Sequence, residues 1–298
     1  MDKLAAMRTF VEIVDRGSLS AAATTLERSN PTVVRALAAL EAELGVVLLR
    51  RTTRRMSLTE EGRVYLDRCR RILADVAEAE ELVGQGRSEP RGELRITAPV
   101  RFGQMHVNPL VIEFLRRHPR IRIELILLDR VVDLVEEGID AAVRIGPLAD
   151  SSMIAVPVGR MRRVVCASPK LLRKSGTPKH PRELEQRPCL RFRDLAGGHW
   201  RFVEDGRELS VSVRGNFASN QAVAALQACE AGLGFGLFLH YQVAPALREG
   251  RLRVVLRAFE LPAVPVSLVY AEARLMSPRL RAFLDWMKLR LPESVELG

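Results

Sequence analysis

Residues 18–45 read SLSAAATTLERSNPTVVRALAALEAELG and predict two short helices joined by a tight turn. Ser18 follows a glycine and is a residue type that caps a helix by accepting a backbone N–H bond. Either Ser29 or Asn30 is placed to cap the second helix, because Pro31 follows them and proline is tolerated in the first helical turn. The stretch is therefore interpreted as a helical hairpin with a short connection.

The second helix of this pair carries one apolar stripe. Its members recur at spacings of four, three and four residues: Val33, Leu37, Leu40 and Leu44. Thr32 and Arg35 lie off the stripe near the N-terminal end, where the recognition helix of a helix-turn-helix presents side chains to base edges. The alternative is a helical hairpin that only contributes to the hydrophobic core. The apolar stripe by itself is consistent with both interpretations.

The next twelve residues favour DNA binding. Residues 48–59, LLRRTTRRMSLT, hold four arginines, three threonines and the apolar Met56 and Leu58. This stretch is too short and polar for a core helix, and threonine favours strands, so it predicts a two-stranded wing. Its arginines would reach phosphates or the minor groove.

Residues 1–91 closely resemble the winged helix-turn-helix and linker helix of LysR-type transcriptional regulators. The resemblance is carried by Phe10-Val11, Gly17-Ser18, Ser20-Ala21-Ala22-Ala23, Ser29, Pro31, Arg35, Leu40-Glu41, Glu43-Leu44-Gly45 and, most specifically, RTTRRMSLTEEG at 51–62. Pattern and resemblance together predict these DNA contacts: Ser29, Asn30, Pro31, Thr32, Arg35, Arg51, Thr52, Arg54 and Arg55.

Four positions depart from the family pattern. Asn30 stands where the family often has Gln, Val34 where Ser is usual, Ala36 where Gln is frequent and Leu49 where Phe is frequent. Gln and Ser are potential hydrogen-bonding side chains, so these changes bear on the operator sequence. The apolar stripe that forms the fold is intact.

Residues 59–84 read as one long helix with a heptad stripe. The stripe residues are Tyr65, Cys69, Ile72, Val76, Ala79 and Val83. We interpret them as a dimer seam, since a two-fold dimer places two recognition helices about one DNA turn apart. A helix packed on its own domain is the alternative.

Composition excludes several classes of protein. The 298 residues are 47% apolar and 28% charged, and no segment approaches the roughly 18 consecutive apolar residues of a membrane span. The N-terminus lacks the apolar run and cleavage site of a signal peptide. The four cysteines form no CxxC pair, so structural zinc is not expected. We expect a cytoplasmic protein without a cofactor or membrane partner.

The net charge of +10 is unevenly distributed. Residues 1–91 carry 15 basic and 14 acidic side chains, and residues 92–298 carry 31 and 22. The evidence for a DNA site is instead local: residues 28–59 contain six arginines and only two acidic residues, Glu41 and Glu43. The excess in the second half fits an anionic effector, additional DNA contact or plain solubility.

Residues 85–92, QGRSEPRG, have the composition of a linker. After this linker the chain alternates strands and helices. The predicted strands are 94–98, 121–128, 140–145, 160–167, 189–193, 199–204, 209–214, 235–239 and 264–271, and the predicted helices are 104–117, 131–137, 219–231 and 277–291. This pattern predicts a two-lobed α/β domain at 92–298, after a DNA-binding domain at 1–58 and a linker helix and hinge at 59–91. Lobe one is 92–162 with 267–298, and lobe two is 163–266.

The second half resembles the effector-binding domain of LysR-type regulators, which is periplasmic-binding-protein-like. ELRITAP at 93–99, DAAVRIG at 140–146 and AGLGFGLF at 231–238 carry this resemblance. Ligands collect at the carboxyl ends of strands and at helix N-termini, so a small anionic effector is expected in the cleft between lobes. The predicted lining is Pro99, Val100, Arg101, Phe102, Arg144, Gly146, Phe192, Ser219 and Asn220. Alternatively, Arg101 or Arg144 pairs with an acid across the hinge.

Other chemistry is weakly supported. The glycines of 232–236 follow a helix and lead into a strand, the reverse of a dinucleotide fingerprint, so we interpret them as a helix cap. An enzyme would need a nucleophile, base or metal constellation that the sequence lacks. A thiol-based redox regulator is the other alternative, with Cys189 near arginines as its best candidate. The leading hypothesis is a ligand-responsive, sequence-specific DNA-binding regulator. Its partners would be double-stranded DNA with two-fold half-sites, an effector, further copies in a homodimer or homotetramer, and RNA polymerase.

The first prediction separates base reading from backbone binding. Arg35→Ala should cost roughly 1–3 kcal/mol on the cognate site and relax specificity at one base position. Arg54→Ala should weaken binding to all sequences and flatten the salt dependence, because a phosphate contact is lost. Binding isotherms on cognate and scrambled duplexes at several salt concentrations measure both, and identical behaviour of the two variants would contradict this division.

Overall fold

In the computed structural model, the predicted hairpin is confirmed. Its helices are α2, Leu19–Thr25, and α3, Asn30–Leu44, and they follow α1, Lys3–Arg16. Ser18 caps α2 by accepting from the backbone N–H of residue 21, and Ser29, not its neighbour, caps α3. Both caps satisfy amide groups that the first helical turn leaves without partners.

The structure describes residues 2–51, 56–83, 89–148, 153–192, 198–271 and 276–294. The chain divides into two units, Met1–Glu89 and Pro90–Gly298. Among the described residues, no helix combines the length and hydropathy that crossing a lipid bilayer requires.

The apolar stripe of α3 forms the core of the N-terminal unit. Val33, Leu37 and Leu40 are fully buried, and they cluster with Phe10 and Ile13 of α1. Full burial of a side chain of this size contributes about 1.5–3 kcal/mol to stability. The opposite face of α3 is left free for another role.

The wing forms as predicted from its threonines and apolar anchors. Strand β1, Leu49–Arg51, pairs antiparallel with β2, Met56–Leu58. The carboxylate of Glu41 on α3 accepts the backbone N–H groups of Leu48 and Leu49, at 2.8 and 3.1 Å. This contact connects the wing to α3.

The long helix α4 spans Glu60–Val83, close to the predicted 59–84. Thr59 precedes it, and its hydroxyl accepts from the backbone N–H of Gly62 at 2.9 Å. Glu60 and Glu61 lie in the first turn, where the helix dipole favours negative charge.

A five-stranded sheet forms the first lobe of the C-terminal unit, in the order β4-β3-β5-β14-β6. The strands are β3, Gly92–Ala98; β4, Ile121–Leu127; β5, Ala141–Ile145; β6, Met153–Met161; and β14, Val264–Ala271. Strands β4, β3 and β5 are parallel, and β14 runs antiparallel to β5 and β6. The carboxyl ends of the three parallel strands therefore lie at one edge of the sheet.

Helices cover this sheet. A continuous helical run consists of α5, Val100–Phe102, a π-helical segment, Gly103–Val107, and α6, Asn108–Arg117. It begins four residues before the predicted start at 104. The terminal helix α10 spans Pro278–Ser294, and Phe283 on it stacks edge-on against the ring of residue 114.

The second lobe contains smaller sheets. A three-stranded antiparallel sheet has the order β12-β7-β13, beside two two-stranded pairs, β9 with β10 and β8 with β11. The elements in chain order are β7, Arg163–Ala167; α7, Pro169–Ser175; β8, Arg191–Phe192; β9, His199–Glu204; β10, Arg207–Ser212; β11, Ala218–Ser219; α8, Ala222–Glu230; β12, Gly236–Leu239; α9, His240–Arg248; and β13, Arg253–Val255. Among the described residues, the lobe also contains the 3-10 helices Pro181–Gln186 and Arg257–Phe259.

The chain crosses between the lobes in two places. The first crossing is at Arg162, between β6 and β7. The second precedes Val264, because all of β14 belongs to the first lobe's sheet, so the predicted boundary at 266–267 was too late. The two connections are joined by a bidentate ion pair between Arg162 and Glu260, with N–O distances of 2.8 to 3.1 Å.

The predicted helix at 131–137 is wrong. This segment forms turns instead, and the carboxylate of Asp133 accepts the backbone N–H groups of Val135 and Glu136. An aspartate side chain that bonds nearby amides offers the backbone an alternative to a helix. Gly138 then takes a left-handed φ of 62°.

Other boundaries also differ. The predicted strand at 160–167 is divided between two sheets at Arg162, and the helix predicted to begin at Ser219 begins at Ala222. Ser219 pairs in β11 with Phe192 of β8, and its hydroxyl accepts the N–H of Gln221. Helices α7 and α9 and strand β13 had no counterpart in the prediction.

The second prediction concerns the link between α3 and the wing. Glu41→Ala should lower the free energy of unfolding by about 1–3 kcal/mol, because two part-buried amide donors lose their acceptor. Glu43→Ala is the matched control on the same helix, since its carboxylate makes an exposed pair with Lys3 and should matter little. Urea unfolding followed by circular dichroism compares them, and equal effects would contradict the assigned role of Glu41.

Candidate functional site

The N-terminal end of α3 presents an exposed polar surface. Ser29, Asn30, Pro31 and Arg35 are exposed there, and the Arg35 Nε donates to the carbonyl of Pro31 at 3.4 Å. Thr32 is half-buried, and its hydroxyl lies 2.7 Å from the Ser29 hydroxyl. Arg35 is thus free to reach outward, whereas the Thr32 hydroxyl is already engaged by the helix cap. The DNA contacts of these residues stay predictions.

The two glutamates of α3 do not neutralise the arginines of this surface. Glu41 accepts backbone amides of the wing, and Glu43 pairs with Lys3 at 2.9 Å. The Lys3 ammonium lowers the pKa of Glu43 by a hydrogen bond. Within the described residues, Arg28, Arg35 and Arg50 make no ion pair. Their positive charge remains available to phosphates.

Part of the predicted wing site lies outside the described residues. Arg51 ends β1, and its backbone is described, but its side chain is not. Thr52, Arg54 and Arg55 fall in the undescribed segment between the two strands. Their predicted contacts with phosphates or the minor groove stay predictions.

The heptad stripe of α4 divides into two parts. Tyr65 and Cys69 pack in the core of their own unit, where the Tyr65 ring lies 6.0 Å from that of Phe10 and Cys69 is fully buried. For these two residues the dimer interpretation is corrected, because α1 already covers them. Ile72 is 39% exposed and Val76 is half-buried. The side chains of Ala79 and Val83 lie outside the described part of the helix.

The C-terminal unit contains a cavity of about 520 Å³ between its two lobes. Lobe one contributes the segments that follow the carboxyl ends of β3, β4 and β5, and lobe two contributes the facing ends of β7 and β12 with the start of α8. The volume lies in the range of small-molecule sites. Ligands in open α/β sheets collect at such strand ends.

Five of the predicted lining residues meet in this cavity: Pro99, Val100, Arg101, Arg144 and Gly146. Phe102 does not line it, because its ring is fully buried in the lobe-one core, 5.2 Å edge-on from Tyr241. Ser219 and Asn220 do not line it either, since α8 begins later and Gln221, Ala222 and Val223 occupy that wall. The side chain of Phe192 lies outside the described residues.

Sequence reasoning missed three segments of the lining. They are the loop from Leu128 to Val131, the hinge residue Arg163, and, at the end of β12 and the start of α9, residues 237–239, 241 and 242. The loop from Leu128 to Val131 follows the carboxyl end of β4. It could have been predicted in the same way as the segments after β3 and β5, because ligands collect at the carboxyl ends of strands. Arg163 and residues 237–239 lie in predicted strands whose ends were not assigned to the cavity, and α9, which carries Tyr241 and Gln242, was not predicted.

The charged residues of the cavity wall have different partners. Arg130 makes a bidentate ion pair with Glu137, and Asp129 accepts the N–H of Val100 at 3.0 Å. Arg144 donates to the carbonyls of residues 130 and 132, and burial lowers its pKa. Arg144 therefore fastens a loop of its own lobe, and the alternative of an acid partner across the hinge is not seen for it among the described residues.

The cysteines offer no reactive thiol. All four are buried, and burial raises the pKa of Cys69 to about 11 and those of Cys189 and Cys229 to about 12. Burial also raises the pKa of Cys166. Because the thiolate is the reactive form, these sites disfavour the redox alternative. Among the described residues there is also no cluster of three or more metal-ligating side chains.

Comparison with known proteins decides the family. A family model described as "Bacterial regulatory helix-turn-helix protein, lysR family" matches residues 4–63, and one described as "LysR substrate binding domain" matches residues 87–292. The chain is a member of the LysR family. It is a DNA-binding transcriptional regulator with an effector-binding domain, and not an enzyme.

Full-length relatives agree with this assignment. An HTH-type transcriptional regulator of Xanthomonas campestris pv. campestris (strain 8004) is 37% identical over 95% of this chain and 83% of the relative. An HTH-type transcriptional repressor of Pseudomonas aeruginosa is 36% identical over 100% of this chain and 95% of its own. The solved structure of the LysR-type regulator CrgA from Neisseria meningitidis has 32% identity and a TM-score of 0.62, over 96% of this chain and 98% of that one.

The third prediction tests whether Ile72 and Val76 of α4 form the dimer seam of this LysR-family chain. Ile72→Glu with Val76→Glu should shift the chain towards monomer and lower its affinity for DNA, because two charges would be buried at the interface. Arg68→Glu on an exposed position of the same helix is the control. Light scattering and DNA-binding isotherms measure both properties, and a monomeric unmodified chain would contradict the seam.

Proposed function

We propose that this LysR-family regulator binds a two-fold operator as a homodimer or homotetramer, and that a small anionic effector in the cleft controls this binding. The α3 surface and wing read DNA, and the cavity of the C-terminal unit binds the effector. Such a regulator acts in the bacterial cytoplasm, where the operator DNA and RNA polymerase are present.

The observation that carries the effector part is the charge of the cavity wall. Its described lining holds four arginines, at positions 101, 130, 144 and 163, and one acidic residue, Asp129. The carboxylate of Asp129 is already bonded to a backbone amide. A cavity wall with excess positive charge favours an anion.

The DNA part rests on a different observation. The exposed arginines around α3 lack acidic partners in the described residues, and the two glutamates of α3 bond to other groups. A surface that keeps unpaired guanidinium groups beside a helix N-terminus suits a phosphate backbone. Both observations are needed for a regulator that couples a ligand to an operator.

The fourth prediction tests the effector site. Small carboxylates, benzoate and butyrate among them, should raise the thermal stability of the full chain, by about 2.7 kcal/mol for any that reaches hundredfold excess over its dissociation constant. Arg101→Ala should abolish this gain because it removes a cation from the cavity wall. Asn220→Ala is the control, since Asn220 is exposed and lies next to the cavity without lining it.

The same samples report on control of DNA binding. A duplex selected by the chain from a random-sequence pool serves as the operator, and its affinity is measured by fluorescence anisotropy with and without the stabilising carboxylate. The proposal expects the affinity or the stoichiometry to change in the parent chain and not in Arg101→Ala. A carboxylate that stabilises Arg101→Ala as much as the parent would place the effector elsewhere.

A further inference from the structure

Two arginines line the cavity from opposite lobes without a carboxylate partner in the part of the chain that the structure describes. Arg101 follows β3 in lobe one, and Arg163 begins β7 in lobe two. Neither makes an ion pair with a carboxylate of the described residues. Each lobe thus contributes to the cavity one arginine that has no carboxylate partner among the described residues.

Arg101 lacks a hydrogen-bond acceptor where one is needed. Its Nε is buried and has no partner among the described residues. A buried donor without an acceptor costs about 1–3 kcal/mol, and more when the group is charged. The nearest acid of the wall, Asp129, bonds to the N–H of Val100 and does not satisfy it.

Arg163 is held in a similarly unfavourable position. It lies half-buried at the first residue of the central strand, paired in register with Leu239. Burial lowers its pKa, and repulsion from Arg201 lowers it further. An anion in the cavity would relieve both effects, because an opposite charge favours the ionised guanidinium.

The other two arginines of the wall already have partners within the protein. Arg130 is neutralised by Glu137, and Arg144 is bonded to two backbone carbonyls. The rest of the described lining is largely aliphatic. It includes Val100, Val131, Ile145, Leu148, Val223 and Leu237. A bound molecule therefore meets two arginines that have no carboxylate partner among the described residues, together with a largely aliphatic wall that also holds Asp129 and Arg144.

We propose that the effector is a dicarboxylate that bridges the lobes, with one carboxylate on Arg101 and the other on Arg163, and its carbon chain against the aliphatic wall. This inference rests on the proposed function and names the ligand class of the same cavity. Two carboxylates are required because a single one would leave one guanidinium uncompensated in an apolar surrounding. Arginine suits this role because its planar fork binds a carboxylate bidentately.

The experiment compares carboxylates of equal chain length on the full chain by isothermal titration calorimetry. The probes are succinate with butyrate, glutarate with pentanoate, adipate with hexanoate, and pimelate with heptanoate. At the best length, the dicarboxylate should bind at least about tenfold more tightly than its monocarboxylate partner, as expected for one additional charge-assisted contact. Arg101→Gln and Arg163→Gln should each remove this advantage.

Two exposed arginines outside the cavity are matched controls. Arg122→Gln lies on β4 of lobe one and Arg253→Gln on β13 of lobe two, and both should bind the dicarboxylate as the parent does. Arg163→Lys keeps the charge and should retain part of the advantage. The thermal midpoint of each variant without ligand checks that it is folded.

Several outcomes would overturn the inference. They are equal affinities within every pair, binding of no dicarboxylate, and an advantage that survives either cavity substitution. Monocarboxylate binding that depends on Arg101 alone would refute the bridging dicarboxylate and leave the anionic effector of the proposed function intact. Operator affinity, measured on the same samples, tests the regulator separately from its ligand.

Discussion

The ion pair between Arg162 and Glu260 joins the two places where the chain passes between the lobes. One residue separates β6 from β7, and the other precedes β14, so the pair holds both connections side by side. Its members are partly buried, and bidentate geometry makes it stronger than an exposed pair. The cavity exists because these two connections bring the strand ends of one lobe to face those of the other.

The cavity contains a second constraint, which is the balance between burial and charge. A guanidinium group loses hydration when it enters a wall of valines and leucines, and it needs a carboxylate or a set of carbonyls in return. Arg130 and Arg144 have such partners inside the protein. Arg101 and Arg163 do not have them among the described residues, and this difference separates arginines that build the wall from those available to a ligand.

In the N-terminal unit, two acidic residues near the basic surface bond to groups other than its arginines. A basic surface beside α3 would be cancelled by neighbouring carboxylates, yet Glu41 is bonded to the amides that begin the wing and Glu43 to Lys3. The same glutamate that keeps the arginines free therefore also fixes the position of the wing.

Much of this architecture could be read from the sequence alone, where the physical signal is local. Helix caps, the stripe of Val33, Leu37 and Leu40, and the polar wing need only neighbouring residues, and the structure places them as predicted. The strand ends after Ala98 and Ile145 were also predicted, because a buried strand is a short apolar run.

Only the tertiary structure decided the features that depend on distant partners. Phe102 faces the core because Tyr241, far along the chain, packs on its ring, and Tyr65 and Cys69 face α1 for the same kind of reason. Arg163 reaches the cavity because the strand predicted at 160–167 is divided between two sheets. Local periodicity does not record which sheet a strand joins, since that choice depends on contacts made a hundred residues away.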